Sequence, residues 1–416
     1  MAERYTVVDL FAGCGGMSLG LEQAGFTPVF VSELHHHAME TYTRNRQLLP
    51  VAKPENQARD ILELTQHRDR LLQLTERLRA ENGGEVDLLV GGPPCQGFSG
   101  IGHRRTFVDL EKKDIPSNHL YREMATFIGA LRPKAFVFEN VRGLQSARWT
   151  KEGRRGEIWT DVQDAFESIR TDDGRGYEIY PKLLFASDYG VPQNRPRLIL
   201  IGLRSDIAPS FPDKGRWHPP KQGPAPDPID VLGDLVDDAW PTTAQTLTYP
   251  KPATTPFARE MRKPQNGGEP LSKGAELSEQ EYSRHSPAVT TRFREIRLTG
   301  SIPDNLKTRK FAQRPIPKRW GAAGPTITVA SLPDDFVHFA QDRACTVREW
   351  ARLQTFPDWY EFSGPRTTGG RRRAGDPDAD DWTRDVPKYT QIGNAVPVFM
   401  AKAIGEHLIG LGVFGH

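Results

Sequence analysis

The stretch Gly91-Gly92-Pro93-Pro94-Cys95-Gln96-Gly97-Phe98-Ser99 constrains this chain most. Just before it, Val86-Asp87-Leu88-Leu89-Val90 is an apolar run with β-branched ends, which predicts a short buried strand. The glycines and prolines then dictate an abrupt, stiff turn, because proline fixes φ and glycine permits backbone shapes that other residues avoid. A thiol follows at once. Cys95 is therefore expected at the carboxyl end of a strand, the edge of an open α/β sheet where ligands bind. A cysteine serving only as a core hydrophobe needs neither this platform nor a polar Gln96 beside it.

The chain begins with a second strand–turn unit. Tyr5 to Leu10 reads as a strand, Phe11 to Gly20 as a glycine-rich turn entering a helix, and Leu21 to Gly25 as the rest of that helix. Such a turn lets a ligand approach a helix N-terminus. Its spacing is neither G-x-G-x-x-G nor a P-loop, so phosphate binding is not implied. The next strand, Pro28 to Ser32, ends at Glu33, 20 positions after Gly13. An acid there is placed to grip ribose hydroxyls. Turn and acid together favour an adenosine-containing cofactor. His35, His36 and His37 lie at an expected helix start and face different ways, so they cannot all serve one metal and read as surface residues. Arg59-Asp60-Ile61 is expected to end a third strand, with Asp60 near the adenine. Leu62 to Asn82 reads as one charged helix with Leu71, Leu74 and Leu78 on its buried face.

After Cys95, the polar loop from Gly100 to Asn118 carries His103, Arg104, Arg105, Lys112 and Lys113, and is a candidate lid. A helix from His119 to Leu131 leads to the strand Ala135 to Phe138, which ends in Glu139-Asn140-Val141. A second acid is thus expected on the edge that carries Cys95. Lys182 to Ala186 reads as a strand. Gln193-Asn194-Arg195-Pro196-Arg197 enters another, Leu198 to Gly202. Arg195 and Arg197 alternate, so both are expected on one side. From about Arg204 to Asp342, periodicity fades among prolines, glycines and basic residues. Aromatic and β-branched residues, as in Thr326 to Val329, predict a folded, loop-rich region rather than a linker. Thr346 and Glu349 form a capping box that starts a helix to Gln354. Gly364 to Asp385 is a charged insert containing Arg371, Arg372 and Arg373. The final helix follows Gln391-Ile392-Gly393-Asn394-Ala395-Val396-Pro397.

Bulk properties exclude several classes. The length of 416 residues allows two domains. No apolar run is long enough for a membrane span, and a strand starting within a few residues of Met1 predicts no signal peptide. The 3 cysteines are too few and too scattered for a disulfide framework, which fits a reducing compartment. Cys95 has no nearby cysteine partner, which argues against a thiol oxidoreductase.

The chain resembles a DNA (cytosine-5) methyltransferase of the bacterial restriction–modification type. The resemblance rests on Asp9 to Gly16, Gly92 to Ser99, Glu139-Asn140-Val141, Gln193 to Arg197, the block from Arg348-Glu349 to Pro357, and Gly393 to Pro397, in the family's order. It implies an α/β fold: a Rossmann-like, S-adenosylmethionine-dependent methyltransferase domain with a smaller, loop-rich target-recognition domain and a DNA cleft between them. The expected ranges are 1–203 for catalysis, 204–386 for recognition (including the 343–360 motif), and 387–416 returning to complete the catalytic domain. By resemblance, Cys95, Glu139, Arg195 and Arg197 are catalytic. Cys95 attacks carbon 6 of a flipped-out cytosine, Glu139 contacts the ring nitrogen and exocyclic amine, Arg195 orients the base and Arg197 supports it. Phe11, Ala12, Gly13, Gly15, Gly16, Glu33, Asp60, Ile61, Pro94, Leu120, Asn394 and Val396 are expected to hold S-adenosylmethionine, which leaves as S-adenosylhomocysteine. No metal is expected. The expected partners are double-stranded DNA and a cognate restriction endonuclease, for a cytoplasmic, DNA-associated monomer that does not engage membranes. An RNA cytosine-5 methyltransferase and a catalytically inactive DNA-binding module are the alternatives. The long recognition region favours DNA over RNA. The Cys95, Glu139 and Arg195 set favours an enzyme.

Overall fold

A computed structural model describes residues 5–94, 111–302, 304, 313–367 and 386–415. Cys95, most of the candidate lid and Arg371 to Arg373 lie outside the described residues. The chain divides into two compact units: residues 1–185, 196–221 and 401–416 form unit 1, and residues 186–195 and 222–400 form unit 2. These geometric boundaries differ from the functional ranges 1–203, 204–386 and 387–416.

Unit 1 is built on one sheet of seven strands. In chain order its elements are β1 (Tyr5–Leu10), α1 (Gly16–Ala24), β2 (Phe26–Ser32), α2 (His36–Arg44), β3 (Gln57–Ala58), α3 (Leu62–Thr65), α4 (Arg68–Glu81), β4 (Leu88–Gly91), α5 (Tyr121–Leu131), β5 (Ala135–Val141), α6 (Glu157–Glu167), β6 (Tyr177–Phe185) and β7 (Pro196–Arg204). The strand order is β3-β2-β1-β4-β5-β7-β6. The first five positions pair in parallel, and β7 inserts antiparallel between β5 and β6. This is the expected Rossmann-like arrangement, whose strand order reverses direction between β1 and β4.

Apolar runs produce this sheet because both of its faces are covered. Val8, Leu10, Phe30, Leu89, Phe136, Phe138, Leu198 and Leu200 join Phe127, Ile128 and Leu131 of α5 and Val162 and Phe166 of α6 in one core. The helix expected over Leu62 to Asn82 is two helices, α3 and α4, because His67 between them takes a non-helical backbone and serves as the N-cap of α4. Leu71 and Leu78 are buried as the spacing predicted, and Leu74 packs partly against the same core. Asp60 and Ile61 lie beyond β3, in the turn that starts α3, and not at the end of a strand as expected.

Unit 2 has little regular structure. Its elements are α7 (Pro228–Leu232), α8 (Pro256–Met261), α9 (Pro287–Thr299), the two-residue strands β8 (Arg314–Pro315) and β9 (Phe336–Val337), α10 (Val347–Leu353) and α11 (Lys388–Asn394). A last helix, α12 (Val398–Leu411), runs from unit 2 into unit 1. In unit 1, Gly405 of α12 sits so close to Leu21, Ala24 and Phe26 that an added Cβ would stand 2.9 Å from the nearest atoms. The capping box of α10 forms as predicted: Thr346 Oγ1 accepts from the Glu349 backbone N–H at 3.1 Å, and Glu349 Oε2 accepts from the Thr346 N–H at 2.9 Å. Thr326 to Val329 is not a strand, yet Ile327 and Val329 are buried, so the segment is folded. Among the described residues, no helix is long and apolar enough to cross a membrane.

Candidate active site

The site in unit 1 follows from the carboxyl ends of parallel strands. β1 leads into the turn of Phe11 to Gly15, β2 into Glu33, β4 into Gly92 to Pro94, and β5 carries Glu139 near its end. Turn and platform therefore flank the point where strand order reverses.

The turn after β1 is held open by left-handed backbone at Phe11 (φ 57°), Gly13 (φ 57°) and Gly15 (φ 83°). A side chain is tolerated there only at a cost, which explains glycine at two of the three positions. An added Cβ at Gly13 would meet nothing within 4 Å. Glu33 is buried, and both of its carboxylate oxygens are engaged. Oε2 accepts from the Gly13 N–H and Oε1 from the His35 N–H, each at 2.8 Å. The acid thus secures the glycine turn as well as the start of α2. Ala12 N–H donates to the Ser32 carbonyl at 3.1 Å, and Gly16 opens α1.

The remaining residues expected at the cofactor divide by position. Asp60 Oδ1 accepts from the Leu62 N–H at 2.9 Å, so its carboxylate caps α3. Ile61 is buried in the main core, where Leu120, at the N-terminus of α5, also packs. Pro94 is exposed. Asn394 and Val396 belong to unit 2, where Asn394 is exposed and Val396 buried.

Glu139 and Arg197 meet because β7 runs antiparallel to β5. An antiparallel strand enters at the edge where its neighbour leaves, so Arg197 near the start of β7 pairs with Val141, two positions beyond Glu139. Residues two apart share a face, which makes Glu139 and Arg197 diagonal neighbours. Arg197 Nε stands 2.6 Å from Glu139 Oε1, an ion pair between two largely buried side chains in which the N–H direction misses good hydrogen-bond alignment. Burial lowers the pKa of Arg197, and the Glu139 carboxylate opposes that shift. The other oxygen, Glu139 Oε2, lies where a Cβ at Gly92 would approach to 2.9 Å, so glycine at 92 makes room for it.

Arg195 and Arg197 have different partners. Arg195 is buried and donates to the carbonyls of Val329 (2.6 Å), Gly393 (2.5 Å) and Ala395 (3.0 Å), all within unit 2. Gln193 supports the same region, donating to the Leu353 carbonyl at 2.7 Å and accepting from the Val329 N–H at 2.9 Å.

Sequence reasoning missed several supports. Asn140 Nδ2 donates to the Pro93 carbonyl at 3.2 Å, tying the end of β5 to the platform that precedes Cys95. Beneath the glycine turn, Arg46 and Tyr42 are fully buried, and their i, i+4 spacing near the end of a helix was the available signal. Of the basic lid residues, Lys113 is exposed and paired with Glu111 at 2.8 Å. Among the described residues, His36, His37 and Glu40 each place one ligand atom within 4.8 Å of the others. This set takes only two residues of the histidine run.

The family described as C-5 cytosine-specific DNA methylase matches residues 5–410. The Type II methyltransferase M.DdeI of Desulfomicrobium norvegicum is 29% identical over 97% of this chain and 88% of that protein. The Type II methyltransferase M.PspPI of a Psychrobacter species is 31% identical over 97% of this chain and 79% of its own. Among solved structures, a prophage-encoded E. coli protein described as a DNA modification methyltransferase superposes with a TM-score of 0.66 at 24% identity, over 98% of this chain and 99% of that one. At that identity the likeness speaks for the fold. The family match spans nearly the whole chain, including both the glycine turn and the Glu139–Arg197 pair, and the chain belongs to the C-5 cytosine-specific DNA methylases.

Proposed function

We propose that the chain methylates carbon 5 of one cytosine within a specific short sequence of duplex DNA, as the modification half of a restriction–modification pair, with Cys95 as nucleophile. The Glu139–Arg197 ion pair beside the Gly92 platform carries this reading.

The glycine turn and Glu33 fit an adenosine-bearing cofactor. Gly13 has open space where a side chain would stand, and Glu33 offers carboxylate acceptors suited to ribose hydroxyls. S-adenosylmethionine supplies an electrophilic methyl group when bound. The other steps belong to the protein and the base. Carbon 5 of cytosine is a poor nucleophile, and addition of the Cys95 thiolate to carbon 6 turns the ring into an enamine. Glu139 contacts the ring nitrogen and exocyclic amine, where negative charge develops. Arg197, which the ion pair holds beside Glu139, supplies the electrostatic support, as a fixed cation in a dry site can. Arg195 becomes a positioning residue, with its guanidinium committed to three backbone carbonyls. Once carbon 5 carries the methyl group it loses its proton to a base, the carbon–sulfur bond breaks, and Cys95 leaves as thiolate. The cytosine reaches these groups only when flipped from the stack, at a cost of a few kcal/mol. The range 204–386 reads flanking bases, and its basic side chains make binding weaken as salt rises.

The test is incubation with S-adenosylmethionine and unmethylated plasmid, followed by bisulfite sequencing. The expected result is 5-methylcytosine at one recurring short sequence. Cys95→Ala is expected to lower turnover by about 1,000-fold or more, with cofactor affinity in calorimetry nearly unchanged. Methylation of tRNA in place of the plasmid, or full turnover by Cys95→Ala, would overturn the reading.

A further inference from the structure

The two positive-φ glycines of the turn face different surroundings. Gly13 faces open space, whereas a Cβ on Gly15 would stand 2.7 Å from Arg46 Nη1 and 2.8 Å from Tyr42 Cδ2. Gly15 therefore leaves room for a guanidinium. Arg46 is 1% exposed and is held from several directions. Its Nη2 donates to the Gly15 carbonyl at 3.0 Å, its Nη1 to the Tyr42 carbonyl at 2.9 Å, and its Nε to Glu22 Oε1 at 2.6 Å. Its guanidinium carbon lies 4.0 Å from the centre of the Tyr42 ring. The Tyr42 hydroxyl lies 2.8 Å from Ser18 Oγ, which donates to Asp9 at 2.5 Å. One buried fork thus joins the turn, α1 and the end of α2, and the Tyr42–Ser18 link extends the network to β1.

We propose that Arg46 is a positioning residue for the methyl donor, fixing the carbonyl of Gly15 and hence the shape of the turn from Phe11 to Gly16. The inference rests on the reading that this turn holds S-adenosylmethionine. A guanidinium suits the task because its planar donors have a fixed geometry, and a lysine ammonium cannot reach three acceptors in the same plane. The Gly15 carbonyl also accepts the first helical bond of α1, from the Leu19 N–H at 2.9 Å. The direction of the Gly15 peptide is therefore set by two donors, and loss of Arg46 removes one of them.

The experiment compares Arg46→Lys, Arg46→Met and the double variant Arg46→Met/Glu22→Gln. The double variant avoids leaving a buried carboxylate without its partner, which alone would cost stability. Steady-state methylation is measured against both substrates. The expected result for the double variant is a KM for S-adenosylmethionine raised about 10- to 100-fold, with the KM for DNA and the kcat at saturating cofactor nearly unchanged. Arg46→Lys, which keeps the charge, is expected to recover part of the loss. In parallel, radiolabelled S-adenosylmethionine is photo-crosslinked to the unaltered protein and the labelled peptide mapped. Label on the turn peptide with an unchanged cofactor KM would overturn the role of Arg46 and leave the site standing. Label on a distant peptide would overturn the site reading itself. A melting temperature that falls together with equal rises in both KM values would reduce Arg46 to a structural residue and overturn the proposal.

Discussion

Unit 1 and unit 2 stabilise their interiors by different means. Unit 1 buries a continuous apolar core between a sheet and helices. Unit 2 also buries apolar side chains, among them Trp350, Leu353, Phe356, Tyr360, Phe362 and Ile392, but it sets a group of paired charges among them. Arg352 binds both oxygens of Asp358, at 2.8 and 2.6 Å, and reaches Asp234 Oδ1 at 2.6 Å. Arg262 shares Asp234, with Nη2 at 2.5 Å, and lies over the Tyr249 ring. Arg343 grips Glu349 with two bonds of 2.7 Å. A chain with few strands cannot satisfy its backbone through a ladder, so side chains such as Arg348, which donates to the carbonyls of Pro357 and Tyr360, serve as acceptors' partners in place of regular structure. The comparison shows that a loop-rich region can combine a buried apolar interior with buried charge pairs that satisfy backbone and side chains where regular structure is sparse.

The sharpest way to break the comparison is Arg352→Met. It removes one cation and leaves Asp234 and Asp358 buried with fewer partners, and a broken buried pair of this kind costs about 3–5 kcal/mol. Urea unfolding followed by hydrogen exchange of peptides from α7 and α10 is expected to show that loss in unit 2. A loss below about 1 kcal/mol would mean that the charge lattice does not carry the fold of unit 2. The counterpart in unit 1 is Leu131→Ala in the apolar core, expected to cost about 2–5 kcal/mol through lost burial and the cavity left behind. Its cost should be the same at pH 6 and pH 8, because no titrating group is involved.

The same contrast explains what was legible in the sequence. β1 was predicted to the residue, and β2, β4, β5, α5 and β7 were found with shifted ends, because buried strands and an amphipathic helix leave apolar patterns. The placement of Glu33, Glu139 and Arg197 at strand ends was legible because each adjoins or lies in such a strand. In unit 2, α9 went unread: it buries little beyond Phe293 and Ile296. Its start was nevertheless marked, since Ser286 caps it by accepting from the Val289 N–H and Pro287 occupies its first position. The partners of Arg195 could not be read, because carbonyls from residues 329, 393 and 395 converge only in three dimensions. The Glu139–Arg197 ion pair was equally hidden, since it depends on β7 being antiparallel to β5.

The smallest predicted effect separates the units by pH. Burial raises the pKa of Asp9 in unit 1 from 3.8 to about 7, against the bond from Ser18 and the charge of Arg46. The folded state then binds a proton that the unfolded state has lost, so this group's contribution to stability falls as pH rises from 3.8 and the cost is complete above about 7. In unit 2 the sign is opposite. Burial lowers the pKa of His338 from 6.5 to about 3, and Glu349 is held at about 2 by Arg343 and His338 against the cost of burial. Their contributions are full above 6.5 and 4.5 and are lost as pH falls toward 3 and 2. Between pH 8 and pH 5.5, acidification should therefore stabilise unit 1 by about 2 kcal/mol through Asp9, offset by about 1 kcal/mol through His218, whose pKa burial lowers from 6.5 to about 4, and weaken unit 2 by about 1 kcal/mol through His338. Hydrogen exchange resolves this, with peptides of β1 and α1 gaining protection at pH 5.5 after correction for intrinsic rates and peptides of α10 losing it. Asp9→Asn should erase the gain in unit 1 and leave the loss in unit 2 intact. A parallel response of both units, unaltered by Asp9→Asn, would mean that the buried acid of unit 1 and the buried charges of unit 2 titrate as one system.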